Sequence, residues 1–187
     1  MPSLKDYRLR IASVKNTRKI TSAMKMVAAS KLRQAQARAE AGRPYAEKIK
    51  EALARLILAI GQREEALPLL DGRGEVKRVL ILAVAVDRGL SGGFNANLVR
   101  EVRRQIVART LEDKEITVIT VGRRGRDMLK REFPHIVIKH YAFNIKYETA
   151  EELTTTLIDL YEDGKYDEAY VSFSQFKNVI TQIPVTQ

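Results

Sequence analysis

"RVLILAVAVD", residues 78–87, decides the fold of this chain. Its apolar residues run continuously and include several β-branched side chains, without the alternation of a half-exposed strand. A run of this kind is typical of a strand covered on both faces, as in sheets with helices on either side. The stretch therefore predicts a buried strand of an α/β domain.

The residues after this stretch alternate between helical and strand patterns. Helical spacing of apolar residues occurs at 94–113, around 126–133 and at 149–164, where Gly164 ends the pattern. Further strands are predicted at 115–122, 135–142 and 168–176. Strands that alternate with helices favour a parallel sheet in a three-layer α/β/α domain.

The last predicted strand, 179–187, follows the fourth after only two residues. So short a connection excludes a crossover and requires an antiparallel hairpin. Pro184 cannot donate a ladder hydrogen bond, which favours an edge position. Residues 76–187 are thus predicted to form a Rossmann-like domain with a five-stranded mixed sheet whose last strand is antiparallel.

Residues 1–60 have a different character, rich in helix-forming residues with only Gly42 and Pro44 as breakers. They predict one or two very long helices, roughly 80 to 90 Å if continuous, that project from the domain. Ser3 and Asp6 resemble a helix N-terminal cap. A narrow, drifting apolar stripe is typical of half of a coiled coil; its members are Leu4, Tyr7, Ile11, Val14, Ile20, Met24, Val27, Ala28, Leu32 and Ala35. Residues 61–75 are predicted to be a linker.

The positive charge is concentrated in the first third of the chain. Residues 1–60 contain 14 Lys and Arg against 4 Asp and Glu, whereas residues 61–187 contain 19 of each class. No acid lies between Asp6 and Glu40. A solvated helix usually mixes signs, so this surface indicates acidic partners.

"DRGLSGGFN", residues 87–95, stands where a phosphate-binding loop lies in many α/β folds. Its glycines Gly89, Gly92 and Gly93 match neither dinucleotide-binding nor P-loop spacing. A structural interpretation of these glycines is a tight strand-to-helix turn, which needs positive φ values. Asn95 is then a possible cap of the helix that follows. Ser91 lacks the surroundings of a nucleophile elbow.

No catalytic, cofactor-binding or metal-binding residue is predicted. The chain has no cysteine, and its two histidines, His135 and His140, are too few for a metal site. The first residues lack the apolar core of a signal peptide, and no run is long enough for a membrane span. A soluble chain on the cytosolic side is expected.

Two other classes of function remain open on these residues. A nucleotide-binding α/β protein would use the loop 87–95, although the long basic helix would then have no role. A nucleic-acid-binding protein would use the basic helix, although the helix offers few aromatic side chains for stacking, with Tyr7 and Tyr45 alone before residue 94.

Three motifs together resemble the gamma subunit of F-type ATP synthases, the central rotor shaft. They are "LKDYRLRIASVKNTRKITSAMKMVAASKL" at 4–32, "RPYAE" at 43–47 and "DRGLSGGFN" at 87–95. The resemblance implies a shaft helix inside the hexamer of alpha and beta subunits, an α/β domain near the epsilon subunit and the membrane rotor ring, and no nucleic acid partner. It also implies a peripheral location on the cytoplasmic side of a bacterial plasma membrane, with nucleotide chemistry in the beta subunits.

The same resemblance implies that Met24 and Lys25 face the catch region of the beta subunit, and that Lys31 and Arg33 pass acidic residues of that subunit. The spacing of Met24 also fits a plain residue of the apolar stripe. This chain departs from the family in two ways. Ser91 stands where the family usually has Cys, and the sequence ends at Gln187, before the expected C-terminal helix that pairs with the first.

Overall fold

A computed structural model describes residues 3–60, 68–143 and 146–187. The chain divides into two compact units, residues 1–65 and 66–187. Among its described residues, the first contains one helix, α1 (Leu4–Ile60), and the second contains a short helix and an α/β domain. The prediction of a long helix followed by an α/β domain is confirmed.

α1 is one continuous helix of 57 residues, or roughly 85 Å at 1.5 Å per residue. The predicted cap is confirmed, because the Ser3 backbone N–H donates to Asp6 Oδ2 at 2.8 Å and the Asp6 N–H donates to Ser3 Oγ at 3.3 Å. Pro44 lies inside the helix. Since proline has no N–H, the carbonyl of Glu40 loses its helical partner there, but the helix continues.

The predicted linker 61–75 is described only from residue 68 onward. There a short helix, α2 (Pro68–Asp71), precedes a turn in which Gly72 and Gly74 have φ values of 76° and 85°. Positive φ favours glycine because a Cβ would strain the backbone. Residues 61–67 lie outside the described residues.

The α/β domain alternates strands and helices in the predicted order. Its elements are β1 (Arg78–Val84), α3 (Phe94–Thr110), β2 (Glu115–Val121), α4 (Arg123–Glu132), β3 (Val137–Tyr141), α5 (Tyr147–Glu162), β4 (Glu168–Phe176) and β5 (Gln182–Thr186). Several boundaries differ from the prediction by up to three residues, and β1 and α3 each end three residues earlier than predicted. α4 begins about three residues earlier, and β5 begins three residues later because the Asn178 side chain accepts the N–H groups of Ile180 and Thr181 and keeps them in the hairpin turn.

The sheet has the strand order β3-β2-β1-β4-β5. β1 pairs in parallel with β2 and β4, β2 pairs in parallel with β3, and β5 runs antiparallel to β4. The mixed sheet with an antiparallel last strand is therefore confirmed.

Alternate side chains of β1 belong to two separate cores. Val79, Ile81 and Ala83 pack with residues of α3 and α4, whereas Leu80 and Leu82 pack with Tyr161 and other residues of α5 and its flanks. Burial of both faces explains why the sequence of β1 shows no polar alternation. The predicted three-layer arrangement is confirmed.

Pro184 lies in the edge strand β5, as predicted, opposite Ser174. Three positions along the ladder, Val171 and Gln187 exchange two backbone hydrogen bonds, of 2.8 and 3.1 Å. Because hydrogen-bonded and non-bonded pairs alternate in antiparallel sheets, the register places the Pro184 nitrogen toward the free edge. Pro184 thus removes a donor from the free edge, a feature that opposes pairing with other strands.

We expect Pro184→Thr to promote self-association, because it restores an edge N–H on a strand of high β-propensity. Gln182→Thr is the matched control, since it changes an edge side chain of the same strand without adding a donor. Light scattering after size exclusion, over a range of concentrations, measures the effect. Equal behaviour of both variants would show that the missing donor has no protective role.

Candidate functional site

The candidate coupling residues lie on an exposed helix. Within residues 4–59 only Leu32 and Gln36 are half-buried and the rest are exposed. Met24 is 51% exposed and Met26 is 67% exposed, which is unusual for such apolar side chains. In the first unit, described by itself, these side chains are therefore accessible to a partner.

The four candidate coupling residues, Met24, Lys25, Lys31 and Arg33, do not all lie on one side of α1. Met24 and Lys31 are seven residues apart, so at about 100° per residue they lie on nearly the same side. Lys25 lies about 100° around the helix from Met24, and Arg33 lies about 200° from Lys31. The helix therefore brings Met24 and Lys31 together, whereas Lys25 and Arg33 face other sides.

The turn between β1 and α3 contains the three candidate glycines. Gly92 has φ 56°, whereas Gly93 precedes α3 with φ −80°. Gly89 does not have a positive φ, but Leu90 does, at 63°. Leu90 is also 94% exposed. The positive φ values expected of the glycines thus occur at only one of them, and a leucine adopts the other at a steric cost.

The prediction that Asn95 caps α3 is wrong. α3 begins at Phe94, so Asn95 lies inside its first turn, and no side chain makes a cap hydrogen bond at this helix start. The side chain is buried, where its Oδ1 accepts the Val86 N–H at 3.1 Å and its Nδ2 donates to Ser91 Oγ at 3.4 Å. Asn95 therefore fixes the turn to the end of β1 instead of capping the helix.

Asp87 joins three segments at the carboxyl ends of the parallel strands. Its Oδ1 accepts the Arg123 N–H at 2.6 Å, at the start of α4, and its Oδ2 accepts the Phe143 N–H at 3.0 Å, after β3. A helix N-terminus attracts anions, and here a carboxylate of the same chain supplies the negative charge. Sequence reasoning missed this role, although an aspartate directly after a buried strand was a usable signal.

Two polar side chains near the turn between β1 and α3, His140 and Ser91, contact other polar side chains of the domain. His140 Nδ1 lies 3.3 Å from Thr120 Oγ1, and Thr120 is fully buried. Burial, with the nearby positive charge of Arg126, lowers the pKa of His140. Ser91 Oγ accepts a hydrogen bond from Asn95 Nδ2. These contacts order the turn and the strand end beside it.

Neither a metal site nor a membrane-spanning helix occurs among the described residues. They contain no cluster of His, Asp and Glu suited to a metal ion. None of the described helices combines the length and the apolar character required to cross a membrane.

Comparison with known proteins gives consistent results along the whole chain. The family model described as ATP synthase matches residues 3–187. The ATP synthase gamma chain of Parvibaculum lavamentivorans is 48% identical over 191 residues, which cover 100% of this chain and 65% of that relative. The gamma chain of Paracoccus denitrificans is 41% identical, with 66% of its length covered. The chain thus spans about two thirds of the length of these relatives.

A solved structure supports the same assignment. The central stalk and c-ring structure of the Tetrahymena thermophila mitochondrial ATP synthase contains a chain that matches with a TM-score of 0.69 and 27% identity. The match covers 90% of this chain and 70% of that one. The rotor of the Euglena gracilis mitochondrial ATP synthase shares the fold, with a TM-score of 0.59 at 15% identity. The chain therefore belongs to the ATP synthase gamma-chain family.

Proposed function

We propose that this chain acts in the central rotor of an F-type ATP synthase, where rotation driven by protons is coupled to ATP synthesis or hydrolysis. The observation that carries the proposal is the family match over residues 3–187, which includes the 57-residue helix α1. A structural relative occurs in a central stalk with a c-ring. The proposed mechanism is indirect, because an asymmetric shaft that turns would shift each catalytic site among different conformations.

The proposed partners are the alpha and beta subunits of the hexamer, the epsilon subunit and the membrane rotor ring. The nucleotide chemistry would belong to the beta subunits, and the chain would lie peripherally on the cytoplasmic side of a bacterial plasma membrane. The surface of α1 suits such a bearing, because it is narrow, exposed and without an acidic residue between Asp6 and Glu40. Positive charge on such a surface attracts acidic loops.

Weak contacts suit the proposed role of Lys25, Lys31 and Arg33. Exposed ion pairs contribute about 0 to 1 kcal/mol each, so such contacts would form and break as the shaft turns. A strong buried pair would hold the shaft at one angle. We therefore assign these three residues, on different sides of α1, to successive weak contacts with acidic partners.

Co-purification tests the proposed function directly. A tagged, full-length chain should retain alpha and beta subunits in stoichiometric amounts after affinity purification from membranes. Titration with labelled ATP tests the alternative of a nucleotide-binding protein. Micromolar ATP binding by the chain alone, without associated alpha and beta subunits, would contradict a rotor function.

We expect Met24→Lys to lower the ratio of proton pumping to ATP hydrolysis by about two- to fivefold. The new cation would lie on the same side as Lys31 and add roughly 0.5 to 1 kcal/mol of attraction to acidic loops at one shaft angle. Paired hydrolysis and pumping assays in membrane vesicles measure this ratio. Met24→Gln is the control, since glutamine is similar in length to lysine and polar but adds no charge at this position.

The two variants distinguish the added charge from the loss of the methionine side chain. Met24→Gln should leave the ratio near that of the unaltered complex. If both variants change the ratio equally, or neither does, Met24 is a plain residue of the apolar stripe and its assignment to coupling is wrong.

A further inference from the structure

Residues 68–78, here called the connecting segment, lead from α2 into β1 and are bound to the C-terminal end of α5. The Pro68 carbonyl accepts the Gly72 N–H at 3.0 Å and the Tyr161 hydroxyl at 2.5 Å. Tyr161 is in the last turn of α5 and is only 6% exposed. The beginning of the connecting segment is therefore held by a buried side chain of α5.

Arg73 makes a second attachment to the same helix end. Its Nη2 donates to the Tyr161 carbonyl at 2.5 Å and to the Glu162 carbonyl at 3.4 Å, and its guanidinium lies 4.5 Å from the centre of the Tyr161 ring. α5 has no basic residue in its last turn. Arg73 supplies the positive charge and donors that a helix C-terminus favours.

Arg78 and Asp167 hold the far end of the connecting segment. Asp167 Oδ2 accepts the backbone N–H groups of Lys77 and Arg78 at 3.0 and 2.8 Å, and Oδ1 pairs with Arg78 Nη2 at 2.7 Å. Arg78 Nη1 also donates to the Gly164 carbonyl. Both ends of the connecting segment are thus attached to α5 and the loop that follows it.

The backbone around Arg73 would be mobile without these contacts. Arg73 lies between Gly72 and Gly74, and glycine restricts the backbone less than any other residue. Both glycines have positive φ values and open space where a Cβ would be. The side-chain contacts of Arg73 and Tyr161 therefore add to the backbone hydrogen bond between Gly72 and Pro68 in holding this part of the segment.

We propose that Arg73 and Tyr161 are positioning residues that stiffen the path of torque between α1 and the α/β domain. The inference rests on the proposed function, since only a rotor subunit transmits torque. The covalent chain from α1 to β1 passes through the connecting segment. Attachment to α5 makes this part of the chain move with the rigid sheet and its helices.

Single-molecule rotation of the whole complex tests this role. The alpha and beta subunits are fixed to a surface, and a probe on the α/β domain reports the angular variance during each pause. Arg73→Ala should raise the variance by about twofold, because a locally released segment fluctuates more widely. Arg73→Lys should have an intermediate effect, because lysine keeps the charge but lacks the planar fork and its stacking.

Two further variants keep the test decisive. Tyr161→Phe removes only the hydroxyl that donates to the Pro68 carbonyl, so this variant should assemble even if Arg73→Ala does not. We expect it to raise the angular variance by a smaller factor than Arg73→Ala. Arg131→Ala, at an exposed position of α4, removes an equal charge and should leave the variance unchanged.

The angular variance distinguishes a positioning role of Arg73 and Tyr161 from a role in stability alone. If Arg73→Ala and Tyr161→Phe lower only the melting temperature and leave the angular variance unchanged, the inference is overturned. Equal variance increases in Arg131→Ala would overturn it as well. If the unaltered chain forms no rotating complex with alpha and beta subunits, the proposed function fails, and the inference fails with it.

Discussion

Gly122→Ala is expected to lower the free energy of unfolding of the α/β domain by about 3 kcal/mol or more. Gly122 follows β2 with φ 91°, a conformation that L-residues rarely adopt. A Cβ at this position would lie 2.5 Å from the Ala85 carbonyl carbon and 2.7 Å from the Val86 nitrogen. These are backbone atoms just after β1, so relief of the clash requires the backbone itself to shift.

Gly74→Ala distinguishes the cost of backbone strain at positive φ from the cost of the steric clash. Gly74 has φ 85° but no atom within 4 Å of the position that a Cβ would occupy, so only backbone strain of roughly 1 to 2 kcal/mol applies. Urea unfolding followed by tyrosine fluorescence measures both variants. A loss in Gly122→Ala no larger than that in Gly74→Ala would show that the contact with β1 is not tight.

The order of elements was predictable because each of them depends on local patterns. The continuous apolar run of β1 indicated burial on both faces, and Lys177 and Asn178 left too little chain for a crossover before β5. Pro184 indicated an edge strand, and Ser3 with Asp6 indicated the start of α1. In each case the signal and its consequence lie within a few residues of one another.

The details of the candidate site were harder to predict because they depend on contacts between distant segments. Asn95 is close enough to the start of α3 to suggest a cap, but the end of β1 offers its side chain a buried N–H from Val86. Asp87 finds its partners 36 and 56 residues away. No local pattern shows which strand ends will meet.

The pairing of Arg73 with α5 was equally inaccessible from the sequence. The two lie 88 residues apart, and residues 61–75 resemble a plain linker in composition. The relevant signal was the absence of a basic residue in the last turn of α5. That absence indicates a need for positive charge from elsewhere but does not identify its source.

Acid is expected to destabilise the α/β domain partly through Asp167. Hydrogen bonds from Arg78, together with the backbone N–H groups of Arg78 and Lys77, lower the pKa of Asp167 from 3.8 to about 2. Because the folded pKa is depressed, the stabilisation is complete above the unfolded value near 4 and is lost as the pH falls toward 2.

The expected loss of stability in acid follows from the pKa shift of Asp167 and from solvent screening of its ion pair with Arg78. The full shift would correspond to roughly 2.4 kcal/mol at 1.36 kcal/mol per pKa unit. The Arg78 side chain is 40% exposed, so solvent screening reduces the expected contribution to about 1 to 2 kcal/mol. The free energy of unfolding should therefore fall by that amount between pH 4 and pH 2 on account of this one carboxylate.

Asp167→Asn should remove this part of the acid dependence and lower stability by about 2 kcal/mol at pH 7, since it takes the charge from a hydrogen-bonded pair. Urea unfolding of the whole chain at pH values from 2 to 7 measures both effects. Asp163→Asn is the control, because it removes the same charge from an exposed residue four positions earlier. An Asp167→Asn profile parallel to that of the unaltered chain between pH 4 and pH 2 would contradict the assignment, since the only carboxylate removed would then carry no acid-sensitive stability.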